Sequence, residues 1–141
     1  MFELDDCVSY IATNAVKKVA DAFNKKLMAL GITRVQWTAL FYLGKYKSIS
    51  QFELAEKMNI KTSTMARLID RMEREGYVIR AKEPADRRVT KLVLTDKGRD
   101  LREKLIPEGE RFSKLVSRDI SDEEIRIFIS VLNKMVENST K

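Results

Sequence analysis

Apolar residues recur along most of this chain three or four positions apart, the period that lines one face of a helix. Leu4, Val8, Ile11, Ala15, Val19, Phe23, Leu27 and Leu30 form the first such stripe, with Lys17, Lys18, Lys25 and Lys26 off it, and predict one long helix. Gly31 breaks the pattern. Thr33 and Gln36 then have the spacing of a capping box, in which two side chains and two backbone amides satisfy one another. They open a second helix, predicted to end at Tyr46, with Trp37, Leu40, Phe41 and Gly44 on its inner face. Ser50 and Glu53 repeat the box before a short helix carrying Phe52, Leu54, Ala55 and Met58, and Asn59-Ile60 is the turn that follows.

Between Lys61 and Glu75 the apolar set is Met65, Leu68, Ile69 and Met72, so one face is buried; Thr64, Arg67, Arg71 and Arg74 align on the other. Thr62 is the expected cap of this helix, and Gly76 ends it, because glycine enters the left-handed conformation without a Cβ clash. The pattern then changes. Tyr77 to Arg80 and Val89 to Leu94 are rich in β-branched and aromatic residues, with Pro84, Ala85 and Asp86 between them, and predict a hairpin. Its connection, Lys82 to Arg88, is charged and reads as longer than a two-residue turn, which predicts a flexible basic finger.

Thr95 is positioned to cap a further helix whose stripe of Leu101, Leu105, Phe112, Leu115 and Val116 is interrupted by Pro107 and Gly109, so a kink is expected there. Ser121 and Glu124 form a third capping box ahead of Ile125, Phe128, Ile129, Leu132 and Val136. The predicted fold class is mainly α with a small β-hairpin wing. A helix followed by a basic hairpin is the winged form of the helix-turn-helix, which places a helix in the major groove of DNA.

Charge sharpens that expectation. Residues 61–102 hold twelve basic and seven acidic residues, five of the six net positive charges of the chain. A solubility surplus would be spread evenly, whereas a phosphate-binding footprint is clustered. At 141 residues with 34% charged and 44% hydrophobic residues, the chain is long enough for one packed domain. It has no histidine and one cysteine, Cys7, which removes the commonest general base, the commonest metal ligand and any intrachain disulfide. No metal or cofactor is expected, and an enzyme is disfavoured. With no run of about 18 apolar residues and no basic segment leading an apolar block at the amino terminus, neither a membrane association nor secretion is expected, and the cytoplasm is the expected compartment.

Leu-Ala-Glu-Lys-Met (Leu54 to Met58), the helix from Lys61, the Asp-x-Arg of the wing (Asp86, Arg88) and the Leu-Thr-x-x-Gly exit (Leu94, Thr95, Gly98) occur in that order. Together they resemble the MarR family of transcriptional regulators, in detail from about Ile32 to Gly98. Lys61 and Thr62 depart from the Ser and Pro of many relatives. The resemblance implies an N-terminal dimerisation helix at 1–31, a winged helix-turn-helix at 32–98 and C-terminal dimerisation helices at 99–141, intertwined as one domain. It further implies a homodimer on a pseudo-palindromic double-stranded DNA operator, acting as a repressor that answers to a small aromatic or phenolic effector. A protein-docking winged helix is the alternative, since fold does not fix function.

On that reading the DNA-binding residues are Lys61, Thr62, Ser63, Thr64, Arg67, Arg71, Asp86, Arg87 and Arg88. Arg67 has the chemistry for bases, because its guanidinium can donate twice to guanine O6 and N7; its structural alternative is an ion pair with Asp70 or Glu73. Arg88 matches the wing-tip arginine of the family, a minor-groove probe that Asp86 would orient, and Arg87 suits phosphate. Tyr10, Trp37 and Phe41 are the candidate effector residues, although aromatics at helical spacing are more often core. Some hydroperoxide-sensing relatives carry a reactive thiol near this point, but the corresponding position here is Ser9. Asp5 and Asp6 are expected to raise the Cys7 thiol pKa and leave it inert.

Overall fold

The computed structural model describes residues 1–141. The first apolar stripe is divided at Cys7, whose extended backbone separates a 3-10 turn at Leu4–Asp6 from α1 (Val8–Met28). The Thr33 and Gln36 box forms in both directions, at 3.1 and 2.9 Å, and starts α2 (Arg34–Tyr46). A two-residue strand, β1 (Ile49–Ser50), comes next and is too short to leave a period in the sequence. Ser50 also caps α3 (Gln51–Met58) by accepting from the Glu53 amide. Only that half of the expected second box is present, and the Glu53 carboxylate lies 4.0 Å from Lys91 Nζ.

The helix that the charge pattern singled out is α4 (Thr62–Arg74), followed by β2 (Val78–Glu83) and β3 (Asp86–Leu94). These strands are antiparallel, from Val78 opposite Leu94 to Lys82 opposite Thr90, and β1 joins the far edge of β3 in the order β1-β3-β2. The expectation of a long flexible finger is corrected. Glu83 pairs with Asp86 across a two-residue turn, Pro84-Ala85, so the strands run to the tip. Side chains on a two-stranded wing point to solvent on both faces, so charge does not oppose the ladder as it would in a core. The irregularity is a bulge: Arg87, Arg88 and Val89 lie between the last regular pair and the tip pair with no counterpart on β2.

Thr95 Oγ1 accepts from the Gly98 amide and starts α5 (Asp96–Val116), which continues through Pro107 as one helix. The Ser121 and Glu124 box forms in both directions and starts α6 (Asp122–Ser139). The buried cluster draws on the end of α1 (Leu27), α2 (Leu40, Leu43), α3 (Leu54), α4 (Met65, Ile69, Met72), the sheet (Val78, Leu92) and α5 (Leu105). It therefore sits under α4 and the wing. The ends of the chain take no comparable part: α6 buries no residue, Phe128 is 51% exposed and Val8 of α1 is 61% exposed. The N-terminal part of α1 (Val8, Ile11, Val19) and α6 (Phe128, Ile129, Val136) thus carry large apolar side chains that their own chain leaves exposed.

The corner between wing and α5 depends on a missing side chain. A Cβ on Gly98 would stand 2.1 Å from the carbonyl oxygen of Tyr77, which already accepts from Thr95 N–H. Backbone cannot yield as a flexible side chain can. Gly98→Ala is expected to destabilise the fold by about 1 to 3 kcal/mol, the usual cost of forcing atoms into a filled site. The measurement is the urea midpoint, which should fall with an unchanged denaturant slope.

Candidate nucleic-acid interface

Met65, Ile69 and Met72 are each fully buried and fix α4 by one face. Lys61, Thr62, Ser63, Thr64 and Arg67 are exposed on the other side. The expected cap is corrected: Lys61, not Thr62, is the N-cap, with extended backbone and no side-chain bond to the helix. Thr62 is already helical, so its hydroxyl is carried past the position from which a cap reaches forward. The first-turn amides are left without a side-chain acceptor, which is the arrangement that favours an anion at a helix start.

The acidic residues of α4 are engaged elsewhere than on Arg67. Asp70 forms an ion pair with Arg80 Nη2 at 2.7 Å, and Glu73 accepts from Arg80 Nη1 at 3.1 Å. Glu75, just past the helix, pairs with Arg71 at 2.9 Å. Arg67 makes neither of the ion pairs that its sequence neighbours offered, and its guanidinium is exposed with no protein partner. Arg71, one turn further along α4, lines a recess of about 170 Å³ with Gly31, Ile32, Thr33 and Gln36. The sequence did not single out Arg80. Its partners lie between 7 and 29 positions away, beyond the reach of any local pattern.

On the wing, Asp86 binds Arg88 three ways: Oδ1 accepts from the Arg88 amide at 3.1 Å and from Nε at 3.0 Å, and Oδ2 accepts from Nη2 at 3.2 Å. The Arg88 side chain remains 92% exposed. A planar fork held by both oxygens of one carboxylate is oriented while still facing solvent. Arg87 is exposed beside it on the bulge. Lys82 donates to Thr90 Oγ1 at 3.3 Å, across the wing.

The aromatic candidates divide. Trp37 and Phe41, stacked with centroids 6.2 Å apart, line a cleft of about 440 Å³ between α2 and α5 with Ile106, Gly109, Glu110, Ser113 and Lys114. Trp37 Nε1 donates to the Leu105 carbonyl at 2.8 Å, and a Cβ on Gly109 would lie 2.2 Å from the indole ring. Tyr10 does not share this cleft. It lines a separate groove along α1 with Asp5, Ile11, Asn14, Ala15 and Lys18, because the intervening turns of α1 carry it away from α2. The expectation for Cys7 is also corrected. The Ser9 hydroxyl, 3.3 Å from Sγ, and then the Tyr10 amide hold the thiol below its ordinary 9.0. Hydrogen bonds donated to sulfur favour the thiolate, which sets the direction of the shift. No cluster of three or more potential ligands is placed to hold a metal ion, and no helix is long and apolar enough to cross a membrane.

Residues 32–90 match the MarR family. YsmB of Bacillus subtilis (strain 168), an HTH-type transcriptional regulator, is 30% identical over 94% of this chain and 88% of its own length. The chain belongs to the MarR family. YdgJ of the same organism, also an HTH-type transcriptional regulator, is 37% identical over 77% of this chain, a match that spans 66% of YdgJ. Two solved MarR-type folds superpose closely. BpsR of Bordetella bronchiseptica, a protein whose DNA binding is regulated by 6-hydroxynicotinic acid, gives a TM-score of 0.87 at 21% identity, covering 96% of this chain and 97% of BpsR. MepR of S. aureus, in complex with DNA, gives 0.85 at 22% identity, covering 94% and 98%. This MarR-family chain is accordingly a winged helix-turn-helix transcriptional regulator, mainly α with a three-stranded antiparallel sheet.

The wing pair has a measurable pH dependence. The Arg88 side chain, followed by its amide, holds the Asp86 carboxyl below its ordinary 3.8. A carboxyl with a depressed folded pKa adds stability that is complete above its unfolded value and lost as pH falls through the folded one. The Asp86 and Arg88 contact should therefore persist at pH 3.8 and break only below it. A carboxyl NMR titration of Asp86 is expected to give a midpoint under 3.8, returning towards that value in Arg88→Ala.

Proposed function

We propose that this regulator is a homodimeric, ligand-responsive repressor of a pseudo-palindromic operator, and that it works in the cytoplasm without catalysing a reaction. In this reading residues 32–98 form the reading module, and 1–31 with 99–141 form the dimerisation unit. The observation that carries the reading is the unpartnered Arg67 on the exposed face of α4, together with a wing arginine clamped by Asp86. Ser63, Thr64 and Arg67 enter the major groove and Arg88 the adjoining minor groove. Lys61, Thr62, Arg71 and Arg87 meet phosphates, which position the protein without reading sequence.

The uncovered apolar stripes of α1 and α6 support the dimer, because two-fold symmetry lets each copy bury the other's exposed helices. Half-sites then lie about one helical turn apart. The cleft lined by Trp37, Phe41 and Lys114 supports an aromatic acid as effector, as does the fold shared with BpsR. Such a ligand releases DNA only to the extent that it prefers a non-binding spacing of the two reading modules.

Selection of bound sequences from random duplexes should recover a palindrome; a pool with no enriched sequence would defeat the reading. On the recovered site Arg67→Ala is expected to lose about 1 to 3 kcal/mol, roughly 5- to 150-fold, with much less change on random duplex. Arg88→Ala should also weaken that site and lower its salt dependence. Sedimentation at micromolar concentration should show a dimer, and a monomer would rule out the symmetric arrangement.

A further inference from the structure

Arg80 is the least exposed of the wing's arginines, with 26% of its side chain accessible, and its Nε, Nη1 and Nη2 each donate inside the protein. Nε donates to Gln51 Oε1 of α3 at 3.2 Å. Nη1 donates to Glu73 Oε1 and Nη2 to the Ala66 carbonyl, both at 3.1 Å, and Nη2 also meets Asp70 Oδ1 at 2.7 Å. Its backbone amide donates to the other oxygen of Glu73 at 3.2 Å. One guanidinium on β2 thus grips three successive turns of α4 and the first residue of α3.

The position of its acceptors matters more than their number. Asp70 and Glu73 are the two carboxylates within α4, and both remain partly exposed, at 61% and 42% of the side chain. Asp70 is three residues beyond Arg67, the spacing at which opposite charges on a helix meet. A free Asp70 carboxylate would compete for the Arg67 guanidinium and would stand against the phosphates of any duplex seated on α4. Both consequences are averted only while a cation from outside the helix engages these groups. Lysine could not substitute: it is a point charge with three donors on a flexible stem, whereas this site needs a planar fork reaching acceptors on two elements.

We propose that Arg80 is a positioning residue for DNA reading: by engaging Asp70 and Glu73 it keeps their carboxylates off Arg67 and leaves that guanidinium free for the base edges. It touches no nucleotide itself. The inference rests on the reading of α4 as the groove-binding helix.

The test is a mutant cycle on the full chain, binding both the duplex recovered by selection and a random duplex of equal length. Arg80→Gln should weaken the selected duplex by about tenfold or more, within the range of coupling between charged neighbours, and the random duplex by much less. Adding Asp70→Asn and Glu73→Gln should restore most of the loss, whereas the same pair in the Arg80 parent should change affinity little. Arg80→Lys keeps the charge, so a direct phosphate contact would survive it and a positioning role would not. Retained affinity in Arg80→Lys, no loss in Arg80→Gln, or no rescue by the paired neutral substitutions would each overturn the proposal. Thermal melting of every variant shows which ones fold, and Arg80→Lys keeps the cycle decisive if Arg80→Gln does not. Arg67→Ala is measured beside them: if it weakens the selected duplex and Arg80→Lys does not, this inference alone fails. If Arg67→Ala has no effect, the groove-binding reading of α4 fails and takes the inference with it.

Discussion

A helix that offers a polar face to a partner must be held by the face it hides, and α4 is held by Met65, Ile69 and Met72, each with no exposed surface. Three large side chains fully removed from water contribute on the order of 5 to 9 kcal/mol before ordering costs. That burial is what permits the opposite face to be a row of hydroxyls and arginines making no contribution to the core. The α1 terminus, α2, α3, the sheet and α5 all place residues in the same cluster. The exposed polar face of α4 and the fold's stability are therefore two sides of one helix.

Electrostatics then decides what the exposed face can do. The chain has a formal charge of +6, yet α4 carries acidic residues within a turn of its arginines. Without outside partners these would neutralise one another along the helix. Instead Arg80, from β2, takes Asp70 and Glu73; Glu75 at the helix end pairs with Arg71, and on the wing Asp86 takes Arg88. The pairs on exposed arms contribute little stability. Their effect is directional: each fixes one guanidinium and leaves another unclaimed.

The aromatic cleft is tied to the same framework by contacts between α2 and α5. Arg102 of α5 donates to the Leu40 and Phe41 carbonyls of α2, each at 3.0 Å, and lies 5.4 Å over the Phe41 ring. Trp37 is tied to the Leu105 carbonyl of α5 and packs edge-on to Phe23 of α1, with centroids 5.2 Å apart. The residues that line the cleft are thus the ones joining α2, within the region that matches the MarR family, to the helices outside it.

Much of this architecture was legible because its causes are local. Helix starts at Thr33, Thr95 and Ser121, the buried stripe of α4, the existence of a hairpin and the Asp86 and Arg88 pair all follow from residues within a few positions of one another, where period and capping act. The errors fall where neighbours in space are distant in sequence. Charge made the wing tip look loose, but strand pairing closed it at Pro84-Ala85; half of the Ser50 box is absent, with the Glu53 carboxylate 4.0 Å from Lys91 of β3; Tyr10 and Trp37 share a chemical type but not a cleft. By itself the sequence determined which faces are apolar and which segments carry cation, because burial and periodicity are properties of the chain read in order. Only the tertiary structure decided which arginine is free and which is bound, since that depends on a guanidinium from β2 arriving beside carboxylates of α4, and no period in the chain encodes that meeting.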